Sequence, residues 1–430
     1  MKKQPWLQLL AVLAAMSIVV AACGSSGKSS SNTTTKAKAA NDRGNIDGTL
    51  VFGALLPQSG DLSAIYKSLK TPIDMAVTEI NAAGGVNGKP VQLKNADDGT
   101  SPDVATQSLD TLLNSDKVDA ILGAASSGTT LGILDKVVTA GVTECSGSNT
   151  SAELSSANDK GYYFRTAPPD KFQGPALAQV VINDNNSKVA ILTRNDSYGT
   201  GFGDALETAL TDGGANVVSN TAYDPNGSDF SSDVGKVKSA GPDAVIVIGF
   251  NDDGGKVVKE MIAQGIGPKN MKIYTADGMQ GSSFYKGVDA SNPAVVQGIK
   301  GTAPAAAVNG VNHPFIAAFK KTGVDTIFSS YYYDCTLLLA LAAQAAGSDD
   351  PAKIKNEVVK VSKDGQACET YKDCLALIKA GKDVNYEGAS GPDDLTSIGE
   401  PNVGSYDVWA YDAKGAPTNL PGVPQIKITG

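Results

Sequence analysis

Two stretches decide the fold: Lys117-Val-Asp-Ala-Ile-Leu-Gly123 and Gly241-Pro-Asp-Ala-Val-Ile-Val-Ile-Gly249. Each runs from a turn through an Asp into an unbroken aliphatic run, then spills into a polar loop, 124–130 in the first case and 250–255 in the second. A short continuous apolar run bounded by turn residues reads as a strand buried on both faces, the mark of a parallel sheet. Each also follows a helical segment that begins beyond an acidic turn, Asp97-Asp98 before the first and Tyr223-Asp224 before the second. The chain therefore echoes itself, and two similar α/β lobes account for the echo.

Working outward, the alternation holds along the chain. Strands are predicted at 50–56, 91–95, 120–122 and from 142, with helices at 70–83, 102–115 and 129–140. Gly84-Gly85 stops the first helix. The pattern resumes with strands at 189–193, 216–220, 244–248 and 272–275, and helices at 201–213, 231–240 and 254–264. Such alternation predicts an α/β protein with parallel sheets covered on both faces. Ligands in open α/β sheets sit beyond the carboxyl ends of the strands. The loops to inspect are 124–130, 145–154, 194–203, 250–255 and 276–283, rich in hydroxyls, amides and glycine, with a few aromatics and one central carboxylate.

The amino terminus carries a different message. Lys2 and Lys3 precede an apolar stretch, 5–22, broken only by Gln8 and Ser17 and ending in Val20-Ala-Ala-Cys23. A charged start, a short apolar core and small residues before a cut site make a secretory signal. The junction resembles a bacterial lipobox. That resemblance implies that Cys23 is diacylated and becomes the mature terminus, anchoring the protein to the outer face of the cell membrane; the alternative is a plain signal peptide cut near the same place, with Cys23 incidental and the protein periplasmic. Residues 24–46 are rich in Ser, Thr, Gly, Asn, Ala and Lys and read as a flexible tether. The full chain has 430 residues and a formal charge of −9. Without the first 22 residues, 34 basic residues face 45 acidic ones. So acidic a body is a poor partner for nucleic acid or anionic lipid. No later segment approaches the ~18 apolar residues of a membrane span.

Export permits disulfides. Cys368 and Cys374 lie six apart in a loop-like stretch and are the expected bridge. Cys145 and Cys335 each border an apolar run. Each reads as a small buried hydrophobe, with a second bridge as the alternative. One His and no Cys-x-x-Cys argue against a metal site. His313, before Pro314, is expected in a solvated loop, and no Gly-x-Ser-x-Gly elbow accompanies it. Gly199-Thr-Gly-Phe-Gly203 has the wrong spacing for a dinucleotide loop and reads as a helix start. Asp97-Asp98-Gly99-Thr100 lacks the distal Glu of a calcium loop, and 385–391 lacks the Lys of a phosphate loop. No cofactor and no catalysis are expected.

Across about 49–430 the chain resembles the type I periplasmic solute-binding proteins of branched-chain amino acid ABC importers. The matching pieces are Gly53-Ala-Leu-Leu-Pro-Gln-Ser-Gly60, Asn81-Ala-Ala-Gly-Gly-Val-Asn-Gly88, Ile121-Leu-Gly-Ala-Ala-Ser-Ser127, Ser146-Gly-Ser-Asn-Thr150, Phe164-Arg-Thr166, Asp196-Ser-Tyr-Gly199 and Asn385-Tyr-Glu-Gly-Ala-Ser-Gly391. The resemblance implies two doubly wound lobes joined by three hinge crossings, near 165–168, 301–304 and 403–406. Lobe 1 would comprise 47–167 with 302–403, and lobe 2 would comprise 168–301 with 404–430. It implies a ligand carboxylate held by Ser127, Ser148, Asn149 and Thr150. The ammonium would face Asp277, within Tyr274-Thr-Ala-Asp-Gly278, one methylene shorter than the Glu usual there. Tyr198, Phe250 and Tyr66 would wall the ligand. The expected partners are a small amino acid and membrane permease subunits, with the protein itself a monomer. The chain lacks the first-lobe bridge of some relatives, having Gly99, Thr100 and Ser126 there. The rival expectations are the same fold binding an amide, urea or aromatic acid, or a lipoprotein that senses a ligand and signals through a partner.

Overall fold

A computed structural model describes residues 46–308 and 310–430. Cys23, the signal segment and nearly all of the tether lie outside the described residues.

The two quoted stretches become the central strands of two separate sheets. The first sheet has five strands, in the order Gln92–Asp97, Val51–Leu56, Ala120–Gly123, Thr143–Ser146 and Tyr163–Arg165, all parallel. In the second sheet Asn216–Tyr223, Lys188–Arg194, Ala244–Ile248, Lys272–Thr275 and Lys300–Pro304 lie side by side, again parallel. Taken in chain order, both series read second, first, third, fourth, fifth. The internal echo is thus a shared topology. Its cause is visible in burial: Ala244–Ile248 is buried along its whole length, as a strand covered by helices on both faces must be.

The second sheet is not purely parallel. Val403–Tyr411 joins it antiparallel to Lys300–Pro304, and Pro417–Asn419 and Ile426–Thr429 pair antiparallel to Val403–Tyr411 in turn. The chain leaves the second sheet through Lys300–Pro304, builds the helices that flank the first, and comes back along the same edge. A returning strand beside a departing one must run the opposite way.

Helices start and stop for local reasons. The first long helix runs Tyr66–Ala82, four residues earlier than expected, because a 3₁₀ turn at Ser63–Ile65 feeds it. It ends where Gly84 and Gly85 take positive φ, 107° and 72°, a region costly for other residues. The helix Ser329–Ala346 is buried from Ser329 through Ala343 and packs against the first sheet's helical layer. Phe328, at its start, holds φ 56°, a rare conformation for a bulky side chain.

Two expectations are corrected. Cys145 and Cys335 are bonded to each other, with Cα atoms 5.8 Å apart, tying the strand Thr143–Ser146 to the helix Ser329–Ala346. They are not two independent small hydrophobes. Cys368 and Cys374 form the second bridge. His313 is not solvated. It is buried, caps the helix Pro314–Lys320 by accepting the Phe315 N–H at 3.2 Å, and places Nε2 2.6 Å from the Glu369 carbonyl.

Candidate ligand-binding cleft

The carboxyl ends of the two sheets face one small cavity. From the first lobe, Leu62, Ile65, Ala125, Ser126, Ser127, Ser148, Thr150 and Phe328 line it. From the second come Tyr198, Phe250, Asp277 and Gly278. It encloses about 20 Å³, space for little more than an ordered water. The lobes meet closely, so a solute enters only when they part. Wider hollows lie elsewhere, one of about 350 Å³ beside Phe315, Phe319 and Gln425. That one does not gather the strand ends of both sheets.

The first-lobe wall is neutral and donor-rich. Ser126, not Ser127, caps the helix Ser127–Ala140, its Oγ accepting the Thr129 N–H at 3.1 Å. The Ser127 hydroxyl braces the neighbouring loop instead. It accepts the N–H groups of Thr150 and Ser151 at 3.3 and 3.1 Å, keeping its own proton to donate. The first-turn amides of this helix have no acceptor within it, and the positive end of its dipole favours an anion. Ser148 lines the cavity, yet its Oγ lies 2.8 Å from the Ala125 carbonyl and 3.0 Å from the Tyr332 hydroxyl. Asn149 does not line it. Its Nδ2 donates to the carbonyls of Ala124 and Ala125 at 3.1 and 2.9 Å, and its Oδ1 accepts from Tyr163 at 3.0 Å. Asn149 therefore steadies the loop that carries Ser148 and Thr150.

The second-lobe wall is aromatic and acidic. Tyr198 and Phe250 stack, centroids 5.4 Å apart and planes at 18°. The Arg194 guanidinium lies 3.6 Å from the Phe250 centroid on the ring face, a cation–π contact. Arg194 is held by Asp253 at 2.8 Å and Asp196 at 2.6 Å, and it reaches Asp61 of the first lobe at 3.6 Å. A second link crosses nearby, Ser151 Oγ donating to the Ser197 carbonyl at 2.8 Å. Asp277 is buried. Its Oδ1 accepts from Gln173 at 2.8 Å and from the Tyr198 hydroxyl at 3.3 Å. Burial raises its pKa to about 6 against those hydrogen bonds.

Tyr66 is not among the lining residues. Because the helix begins early, Leu62 and Ile65 of the preceding turn take the wall and Tyr66 sits half-buried beside them. Sequence reasoning also missed three groups. Phe328 closes one side, and only its place before a buried helix hinted at it. Asp170, the first residue of the helix Asp170–Asn183, is a second acid near Asp277. Burial first, and then the charge of Asp277, push its pKa well up. Gln173 is one turn further on. Asp277 remains the one acid lining the cavity, with Asp170 buried behind the wall.

This arrangement can grip a small zwitterion by both ends. The residues 49–414 match the family model of the periplasmic binding proteins, and the chain belongs to that family. Among its relatives, a Leu/Ile/Val-binding protein homologue of Brucella melitensis is 27% identical over 344 residues, covering 77% of this chain and 88% of the relative. The branched-chain amino acid transporter substrate-binding protein LivJ of Streptococcus pneumoniae, solved with isoleucine, superimposes with a TM-score of 0.71 at 23% identity, over 88% of this chain and all of that one. A solute-binding protein of R. palustris, solved with 4-hydroxybenzoate, gives a TM-score of 0.69 at 18% identity, over 88% of this chain and 97% of that one.

Proposed function

We propose that this protein is the exported solute receptor of an ABC importer, closing on a small aliphatic amino acid and delivering it to membrane permease subunits. The observation that carries the reading is the opposed chemistry of the two walls. A hydroxyl-lined helix N-terminus suits a carboxylate, and a buried acid opposite suits an ammonium. The named relatives point the same way. A charge-assisted hydrogen bond to a desolvated ammonium contributes about 1.5–3 kcal/mol. Burial of a four-carbon side chain against Leu62, Ile65, Phe328 and Phe250 adds about 3 kcal/mol. After association costs these sums suit micromolar affinity, about −8 kcal/mol.

Anchoring through Cys23, the tether and a monomeric working state complete the proposal. The signal-like segment and the lipobox-like junction support the anchoring. The acidic body argues against nucleic acid as a partner.

A second reading keeps the fold and exchanges the ligand for an aromatic acid. The stacked Tyr198–Phe250 pair and the R. palustris neighbour favour it. Calorimetry separates the two. Valine, leucine or isoleucine is expected to bind the wild type, and Asp277→Ala is expected to weaken that binding at least ~tenfold. Binding of benzoate with no response to any of the three amino acids would refute the amino-acid reading.

A further inference from the structure

The loop after the strand Ala120–Gly123 supplies Ala125, Ser126 and Ser127 to the first-lobe wall. Two buried acids hold that loop from behind by successive backbone N–H groups. Glu144 Oε1 accepts the Ala124 N–H at 3.1 Å, and Asp98 Oδ2 accepts the Ala125 N–H at 2.9 Å. Asp98 uses its other oxygen as well, accepting the Thr100 N–H at 2.7 Å. Glu144 does not: its Oε2 is buried with no hydrogen-bond partner among the described residues. A buried carboxylate met by a single donor is costly, and such a group takes up a proton instead.

No cation answers Glu144 from the elements packed around it. Its strand, Thr143–Ser146, lies between Ala120–Gly123, which carries no charge, and Tyr163–Arg165. Tyr163, opposite Glu144 in register, is held neutral, chiefly by burial. Arg165 is claimed by Glu400 at 2.5 Å and by the carbonyls of Asn149 and Ser151. The buried residues of the helices Ser127–Ala140 and Pro351–Val361 are all uncharged. On the helix Ser329–Ala346, Tyr332 is kept neutral, again chiefly by burial. The acid of that helix, Asp334, accepts from Tyr386 and Ser390 instead. Burial accordingly raises the pKa of Glu144 to about 8 and that of Asp98 to about 7, against their backbone hydrogen bonds.

We propose that Glu144 is a positioning residue of the carboxylate wall that works in its protonated form, so that the solute carboxylate and a proton are taken up together. This rests on reading the neutral wall as the carboxylate site, and it applies to an amino acid and an aromatic acid alike. A carboxylate arriving at Ser127 and the first-turn amides brings negative charge to the front of a loop whose back touches Glu144. Ionised Glu144 opposes it. Protonated Glu144 does not, and its carbonyl oxygen still accepts the Ala124 N–H. The bound carboxylate therefore strengthens Glu144's hold on its proton, and affinity falls as pH climbs through the region near 8.

The test is titration calorimetry of the mature chain with L-leucine at pH 7.0 and 8.5, in buffers of different ionisation heat. Glu144→Gln keeps an oxygen for the Ala124 N–H and cannot ionise. Asp98, Asp170 and Asp277 are common to both proteins, so the difference between them isolates Glu144. For about a tenfold gain in Glu144's proton affinity on binding, the wild type is expected to take up about half a proton more per leucine than Glu144→Gln at pH 8.5. The two should bind equally at pH 7.0, with Glu144→Gln about threefold tighter at pH 8.5. Equal proton uptake and parallel pH profiles overturn the proposal and leave the proposed function standing. Weaker binding by Glu144→Gln at both pH values, with its melting temperature at or above the wild type's, shows that the ionised form is the working one and also overturns it. Failure of the wild type to bind either leucine or benzoate removes the carboxylate site itself, and the proposal with it.

Discussion

Removing the charge of Asp61 is the most direct test of how the lobes are held shut. Asp61 sits on the first lobe and Arg194 on the second, 3.6 Å apart, with Asp61 32% exposed and Arg194 6%. At that distance a unit pair interacts by about 1 kcal/mol in water and about 4–5 at an effective dielectric near 20. The exposure of Asp61 and the two other carboxylates already bound to Arg194 favour the lower figure. Exposed pairs measure ~0.2–1 kcal/mol, so about 1 kcal/mol is the reasoned loss. The pair spans the cleft, so this loss falls on the closed form alone. Asp61→Asn should therefore raise the solute Kd about fivefold, chiefly through faster release, with little change in ligand-free melting temperature. The wild type should lose most of that advantage in ~1 M salt, where screening is nearly complete, and the variant should respond less. Titration calorimetry and stopped-flow release at two salt concentrations read both effects. Equal affinities at low salt would show that the Arg194–Asp61 contact does not hold the closed form.

Three further outcomes concern other parts of the molecule. The Cys145–Cys335 bridge closes 190 residues and the Cys368–Cys374 bridge only six. Chain entropy then assigns about 5 kcal/mol to the first and about 2 to the second, so Cys145→Ser with Cys335→Ser should cost far more in denaturant midpoint than the other pair. Glu144 is fully buried with one oxygen unpartnered, and burial raises its pKa to about 8. A carboxyl raised on folding destabilises as pH climbs from its unfolded value toward 8. Glu144→Gln should accordingly raise the melting temperature at pH 8 by a few degrees and leave it unchanged at pH 4. Glu400→Gln should be severe, about 3–5 kcal/mol by chemical denaturation, because it strands the buried Arg165. A loss under about 1 kcal/mol would show that the remaining hydrogen bonds satisfy the guanidinium.

What could be read from the chain was what local patterning controls. Ala244–Ile248 was legible because a strand covered on both faces has no polar positions to blur it. The early start of Tyr66–Ala82 was not, since nothing in Leu62–Ile65 forbids or demands a 3₁₀ turn, and that offset moved the wall from Tyr66 to Ile65. Ser127, Thr150, Tyr198, Phe250 and Asp277 all converge on the cavity because each follows a strand end, which the alternation located. Asp170 was invisible for the opposite reason. It lies outside the strand-end loops that the alternation marked, and its surroundings depend on Thr150 and Asp277, which only tertiary folding brings beside it. Asn149 shows the reverse error: an amide among hydroxyls looks like a ligand donor, but two carbonyls claim it first. The Cys145–Cys335 pairing and the antiparallel return of Val403–Tyr411 likewise join segments that carry no shared local signal.

The return of Val403–Tyr411 alongside Lys300–Pro304 has a mechanical consequence. Residues 300–304 pair in continuous register with 406–410, so the departing and the returning segments of the chain are zipped into one ribbon within the second sheet. Sliding one connection past its neighbour would break that ladder, whereas flexing the ribbon as a whole leaves it intact. Motion that keeps this ladder is a swing about the ribbon, like a book on its spine, rather than a slide along it.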